Sequence, residues 1–380
     1  MTDIPAAAAD DLAGTFDVAI VGAGMAGASL AAECAAHARV LMIEAEDAPG
    51  YHTTGRSAAF WEESYGGPGV VPLTLASHGF LDSLGLLSPR AGLTIGREGD
   101  LGRITAFIER YAALGVDVRL MTRAEIAAQG PGLRAEGCHG AYDARGADID
   151  VAGLHQHYLA TARRAGSVLR LRARIEAVSR DGAGWRLDWR GGTVRAGLVV
   201  NAAGAWADPF AELAGARPIG ITPLRRTIAQ VRTDPLPPPE MPLTFGIDED
   251  FYFKPQSGRL IVSPHDETPD VAHDVAPEDL DVAIAIDRLE HAVDWRIAAV
   301  ERRWAGLRSF APDRLPVYGF DPVVPGLFWF AGQGGFGIQT APAAARLAAQ
   351  GLLGLPSDAM TEALDAAAYA PSRFRGPPAA

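Results

Sequence analysis

One segment, residues 17–44 (DVAIVGAGMAGASLAAECAAHARVLMIE), constrains the fold of this chain more than any other. Asp17 to Val21 is an apolar run ended by a turn, the pattern of a strand covered on both faces. Gly22, Gly24 and Gly27 follow in G-x-G-x-x-G spacing, with Ala23, Met25 and Ala26 between them. Small, helix-tolerant residues run from Ala26 to His37. Val40 to Ile43 resumes a strand, and Glu44 closes it twenty residues after Gly24. The three glycines have distinct physical roles. Gly22 makes the tight turn, Gly24 admits a pyrophosphate to the backbone, and Gly27 lets helix and strand approach. The helix start supplies amide donors, and Glu44, with Ala45 after it, can accept from a ribose hydroxyl. A dinucleotide site is expected here. The motif alone leaves NAD and FAD open.

At 380 residues the chain can hold two cores, and its 48% apolar and 21% charged composition is that of a globular protein. A net charge of −12 argues against nucleic acid or an anionic membrane as the main partner. No run approaches the roughly 20 apolar residues of a membrane span. The start, MTDIPAAAADD, lacks a secretory signal's basic and apolar regions. Two cysteines, Cys34 and Cys138, cannot build a disulfide framework or a cysteine metal cluster, so no metal is expected. A cytoplasmic enzyme fits these features.

Helices are expected near 73–86, 103–115, 122–129, 151–165 and 340–351. Val168 to Asp188 reads as a hairpin, and 217–265 alternates like antiparallel strands. Leu198–Gly204 and Leu327–Gly337 repeat the strand-to-glycine pattern. A discontinuous nucleotide domain is therefore drawn from 14–87, 146–205 and 308–366. An interleaved antiparallel-sheet α+β domain takes 88–145 and 206–307, and residues 1–13 and 371–380 read as loose termini. The fold class is α/β.

Further motifs separate the two cofactors. GYHTTGRSAA (50–59), LLSPR (86–90), RGADID (145–150), LVVNAAGAWAD (198–208), FYFKP (251–255), WAGLRSF (304–310) and QGGFGIQT (333–340) stand in this order. With them the chain resembles the D-amino acid oxidase family of FAD enzymes over nearly its whole length, closest to the D-arginine dehydrogenase branch. The resemblance implies a Rossmann-type FAD domain meeting a substrate domain at the isoalloxazine ring. His52, Thr53, Thr54, Gly55, Arg56, Ser57, Ala58 and Ala59 would wrap the ribityl chain and ring edge. Ile175 would face adenine, and Ala203 and Gly204 would lie beside the cofactor. Gly334, Gly335, Phe336, Gly337, Ile338 and Gln339, placed at a helix start, would face the flavin pyrimidine. No cysteine lies between WAGLRSF and QGGFGIQT, so noncovalent FAD is implied.

The same resemblance assigns Arg226 and Arg308 to the substrate carboxylate, where a guanidinium fork matches two oxygens. Tyr252, Tyr65 and Gly335 complete the site, with Tyr65 on a glycine-rich segment able to act as a lid. Arg225 is expected to point to the opposite face of its strand. Arginine-selective relatives carry a glutamate two residues after LLSPR, where this chain has Gly92. Phe60 replaces a pocket histidine, with Leu243 and Phe245 on the facing strand. A cationic side chain would lack a partner there unless Glu62 or Glu63 supplied one. The implied reaction is oxidative deamination of D-amino acids with apolar or aromatic side chains, by hydride transfer to flavin N5. The alternatives are oxidation of a secondary amine (sarcosine- or proline-like) or of a 2-hydroxy acid. The residues leave the electron acceptor, oxygen or a quinone, undecided, along with the oligomeric state.

Overall fold

The computed structural model describes residues 14–134 and 139–374. Its first sheet joins apolar runs that lie far apart in the chain. Strand β1 (Thr15–Val21) pairs in parallel with β2 (Val40–Ile43) on one side and with Gly192–Asn201 on the other. Val168–Arg170 extends the array beyond β2, and Leu327–Ala331 joins it beside Val199–Asn201. The hairpin Ile175–Asp181/Gly184–Trp189 and the strand Val317–Phe320 complete eight strands. From Val18 to Val21, β1 lacks a polar side because both faces are covered there. Val18 and Ile20 pack with helix α1 (Met25–Cys34) and with the helices Val151–Arg164 and Ala341–Leu353. Phe16, Ala19 and Val21 pack against Trp185, Trp329 and the helix Ala207–Leu213.

The second sheet is centred on two long antiparallel strands, Thr222–Asp234 and Arg296–Phe310. Arg259–Ser263, Tyr252–Gln256 and Leu243–Gly246 continue it in antiparallel fashion. Leu243–Gly246 then pairs in parallel with Gly92–Gly96, one exception to the expected antiparallel pattern. A core containing Leu93, Phe253 and Trp295 lies between this sheet and the helix Asp279–Ala292. The sheets meet where Gln333–Gly334, just past the last parallel strand, pairs with Ser309–Phe310. This seam holds the site.

Several expectations shift. Val168–Arg170 belongs to the parallel array, and the hairpin begins only at Ile175. The helix Ala207–Leu213 packs on the first sheet, so the second domain does not open at residue 206. The boundary drawn at 307/308 falls inside the continuous strand Arg296–Phe310. Pro371–Phe374 is not loose: Arg373 bonds to Asp313 and to the carbonyls of Leu315 and Pro316. Residues 1–13, Cys138 and 375–380 lie outside the described residues. Among those described, no helix is long and apolar enough to cross a membrane.

Candidate active site

A continuous cavity follows the seam, bordered at one end by the first glycine turn. Gly22 (φ +104) takes a conformation that few side chains tolerate, and a Cβ there would sit 2.5 Å from the Ala202 carbonyl. A Cβ on Gly27 would lie 1.9 Å from the Gly22 carbonyl, so helix and turn are in backbone contact as the spacing predicts. Gly24 at the N-cap of α1 has no side chain to cap it and no acid occupies the first turn, which leaves a helix N-terminus suited to an anion. Gly24, Met25 and Ala26 line the cavity there, and the Met25 amide donates to Thr54 Oγ1 at 2.9 Å. Glu44 and Ala45 line it at the end of β2. Glu44 accepts from the amides of Ala23 (2.8 Å) and Glu46 (3.0 Å), which aims the carboxylate along the glycine turn. Ile175, Ala203 and Gly204 border the same end.

The motif 52–59 is a loop with one 3-10 turn, Thr53–Arg56, pinned to the second sheet. Thr53 Oγ1 donates to the Leu307 carbonyl at 2.6 Å, and Arg56 donates to the carbonyls of Val275 (2.9 Å) and Ala305 (3.2 Å). His52 hydrogen-bonds Glu46 at 3.0 Å and packs its ring on Trp206. His52, Thr53, Thr54, Arg56, Ser57 and Ala58 line the cavity, opposite Gly334, Gly335, Gly337 and Ile338. Gly334 ends the short strand Gln333–Gly334, and Gly335, Gly337 and Ile338 lie in turns before the helix, which starts only at Ala341.

Arg226, Arg308, Tyr65 and Tyr252 converge at the far end. The register explains part of this: Arg226 pairs with Gly306, two residues from Arg308, on the two central strands. Both guanidinium groups are buried. Arg226 Nε donates to the Asp266 carbonyl at 2.9 Å, while Nη1 and Nη2 have no hydrogen-bond partner among the described residues. Burial, with the charge on Arg308, pushes its pKa below the ordinary value. Arg308 donates to Tyr65 Oη at 3.1 Å and to Glu267 at 2.6 Å. The Tyr252 ring lies under Arg226, 5.8 Å from ring centroid to guanidinium carbon. A Cβ on Gly335 would sit 2.7 Å from Arg308 Nη1 and 2.8 Å from Tyr65 Oη, so only glycine leaves this junction open. Phe60 adds an aromatic wall, in edge contact with Tyr65, Tyr252 and Phe245. Arg225 points away, as expected, to Asp270, Glu278 and Asp281.

Six expected residues stand outside the lining. Ala23 is buried, its carbonyl bonded to His155, and Gly27 and Gly55 touch backbone. Ala59 (φ +56) turns its carbonyl to Lys254 Nζ at 3.0 Å. Phe336 packs with Val70, Leu224 and Phe310. The Gln339 amide is spent on the Glu62 backbone and Thr74. Leu243 and Phe245 also stand one layer behind the lining. Glu62 and Glu63 do not reach the cavity: Glu62 accepts from Ser64 Oγ at 2.8 Å and Glu63 pairs with Arg145 at 3.2 Å. The Glu62 carboxylate occupies the space a Cβ on Gly92 would need.

Sequence reasoning missed the layer behind the arginines, His265, Asp266 and Glu267. Burial alone would raise the Glu267 pKa, but Arg314 and Arg308 outweigh it and hold it at about 2. His265 is pushed down to about 3 by burial and by both arginines, so its ring stays neutral. Three adjacent polar residues at the end of a buried strand were the available signal. Phe210 and Leu213, which also line the cavity, lie in no motif, and Trp206 lies in LVVNAAGAWAD without having been given a role.

Comparison with known proteins bears on the fold and the family. A glycine oxidase of Geobacillus kaustophilus (strain HTA426) is 28% identical over 348 residues, 86% of this chain and 90% of that protein. The crystal structure of glycine oxidase from Geobacillus kaustophilus superposes with a TM-score of 0.82 at 24% identity, covering 95% of this chain and all of that one. L-proline dehydrogenase from P. horikoshii gives 0.83 at 19% identity, covering 95% and 98%. The family model described as FAD dependent oxidoreductase (DAO) matches residues 17–351, and the chain belongs to that family of FAD-binding oxidoreductases.

Proposed function

We propose that this chain oxidises the amine of an amino acid, with D-amino acids of apolar or aromatic side chain as substrates and a 2-oxo acid and ammonia as products. The observation that carries this reading is the convergence of two buried arginines and two tyrosines at one end of a cavity bounded by a dinucleotide turn. The residues fit FAD held noncovalently: the uncapped start of α1 for the pyrophosphate, Glu44 for the ribose, and residues 52–58 and 334–338 for the flavin. Bound FAD would supply the acceptor for the substrate's Cα hydride at N5.

Arg226 and Arg308 bind the carboxylate and so fix the direction of the Cα–H bond, which is the main contribution of such a site. Tyr65 Oη, already bonded to Arg308, closes over that end. The tyrosine and Phe60 rings exclude water and favour the neutral amine, whose lone pair must be free when hydride leaves. The ammonium proton is lost to solvent beforehand. The imine then takes up water and releases ammonia.

Among the described residues no carboxylate borders the aromatic end, since Glu62 and Glu63 are turned away and Gly92 stands at the position of an acid in arginine-selective relatives. D-Leu, D-Met or D-Phe should therefore outperform D-Arg and D-Lys. A second reading, oxidation of glycine or a secondary amine, is favoured by the mutual contact of Phe60, Tyr65 and Tyr252, which leaves space for a small group, and by the relatives named above. Anaerobic bleaching of the flavin by a panel of D-amino acids, glycine, sarcosine, L-proline and 2-hydroxy acids separates these readings. A cationic D-amino acid as the best reductant would refute the first.

A further inference from the structure

We propose that Glu267 is a specificity-determining and positioning residue that sets the charge of the arginine grip, so that the site accepts one carboxylate and rejects a second. The inference rests on reading Arg226 and Arg308 as that grip. Glu267 Oε1 accepts from Arg308 Nη2 at 2.6 Å and from Arg314 Nη2 at 2.8 Å, and lies 3.7 Å from Arg226 Nη2. Asp266 Oδ1 lies 3.7 Å from Arg226 Nε and accepts from the Thr227 amide at 2.7 Å. Both acids lie in the loop between the strands Arg259–Ser263 and Thr268–Pro269 and stand behind the arginines, outside the cavity lining.

This layer decides the local charge. Arg226, Arg308 and Arg314 bring three positive charges, Asp266 and Glu267 bring two negative ones, and the neutral His265 ring brings none. One unit of positive charge remains, matched by a single substrate carboxylate. A second carboxylate would enter unbalanced among Phe60, Tyr65 and Tyr252, where no further cation faces it among the described residues. Glu267 also holds Arg308 by Nη2, which leaves Nη1 beside Tyr65 and Gly335.

The test uses FAD-loaded enzyme and two probes, benzoate with one carboxylate and malonate with two, titrated calorimetrically. Glu267→Gln removes one negative charge a few ångströms from the bound anion, so the benzoate-to-malonate ratio of Kd values should move toward malonate by roughly tenfold. Glu267→Asp keeps the charge and should restore the ratio to within about threefold of wild type. A residue that merely held the fold would change both affinities by the same factor. A ratio unmoved in Glu267→Gln overturns the assignment. Should that variant lose its flavin, Arg314→Gln decides: loss of this half-exposed cation should move the ratio about threefold away from malonate, and no movement overturns the proposal. Wild-type enzyme that binds neither anion would refute the arginine grip itself. Wild-type binding with an unmoved ratio refutes only the role of Glu267.

Discussion

Replacing Arg226 with methionine removes a cation that is only 4% exposed and whose Nη1 and Nη2 have no hydrogen-bond partner among the described residues. Methionine fills much of the same stem volume, so the packing loss is small. The electrostatic loss is large, because the substrate carboxylate and the buried Asp266 side chain each lose a partner. Breaking a buried charge pair costs about 3–5 kcal/mol. Arg308 remains and retains part of the attraction, which places the loss near the lower end. At about 3 kcal/mol, kcat/KM should fall roughly 150-fold, mostly through KM if the grip acts equally on bound substrate and transition state. Arg226→Lys keeps the charge without the planar fork and should recover about tenfold of that loss. Anaerobic stopped-flow reduction of the flavin across substrate concentrations reads both quantities. The carboxylate grip is refuted if flavin-loaded Arg226→Met stays within about fivefold of wild type. It is equally refuted if Arg225→Met, on the opposite face with Asp270, Glu278 and Asp281, loses as much.

Three further outcomes are expected. Gly335→Ala pushes a methyl against Arg308 Nη1 and Tyr65 Oη, so the reduction rate should fall at least about tenfold while Tm changes little; an unaltered rate would show that this junction is not used. Gly27→Ala forces a methyl into the Gly22 carbonyl, so the protein should purify with little flavin or unfold at lower temperature, as visible absorbance and thermal melts will show. Glu63 is pushed up to about 7 by burial and by the charge on Asp143. A carboxyl with a raised folded-state pKa favours folding below its unfolded pKa and loses that contribution as pH rises to about 7. Glu63→Gln should therefore gain up to about 3 kcal/mol relative to wild type at pH 8 over its value at pH 4.5; a pH-independent difference in denaturant melts would contradict this.

The extent to which sequence foretold this molecule follows the range of the forces involved. Residues 17–44 announce their structure because every element in them is local: apolar runs, glycines with fixed roles and a terminal acid. The three strand-to-glycine segments also announced a discontinuous domain, and all three join one parallel sheet. Boundaries fared worse where packing decides. Nothing local in Ala207–Leu213 says which sheet it covers, and nothing at residue 307 interrupts a strand whose partner lies some eighty residues away.

At the site, sequence alone determined the glycine turn, and the resemblance it carries pointed to the loop 52–59 and to residues that could grip a carboxylate. Tertiary structure decided which of these face the cavity. Ala59, Phe336 and Gln339 sit in motifs that do border it, yet a left-handed backbone, an apolar cluster and a hydrogen-bond network turn their side chains or carbonyls elsewhere. It also placed Asp266 and Glu267 behind Arg226 and Arg308, some forty residues away in each direction. Charge balance is a sum over neighbours in space, and a linear chain does not record those neighbours until its strands have paired.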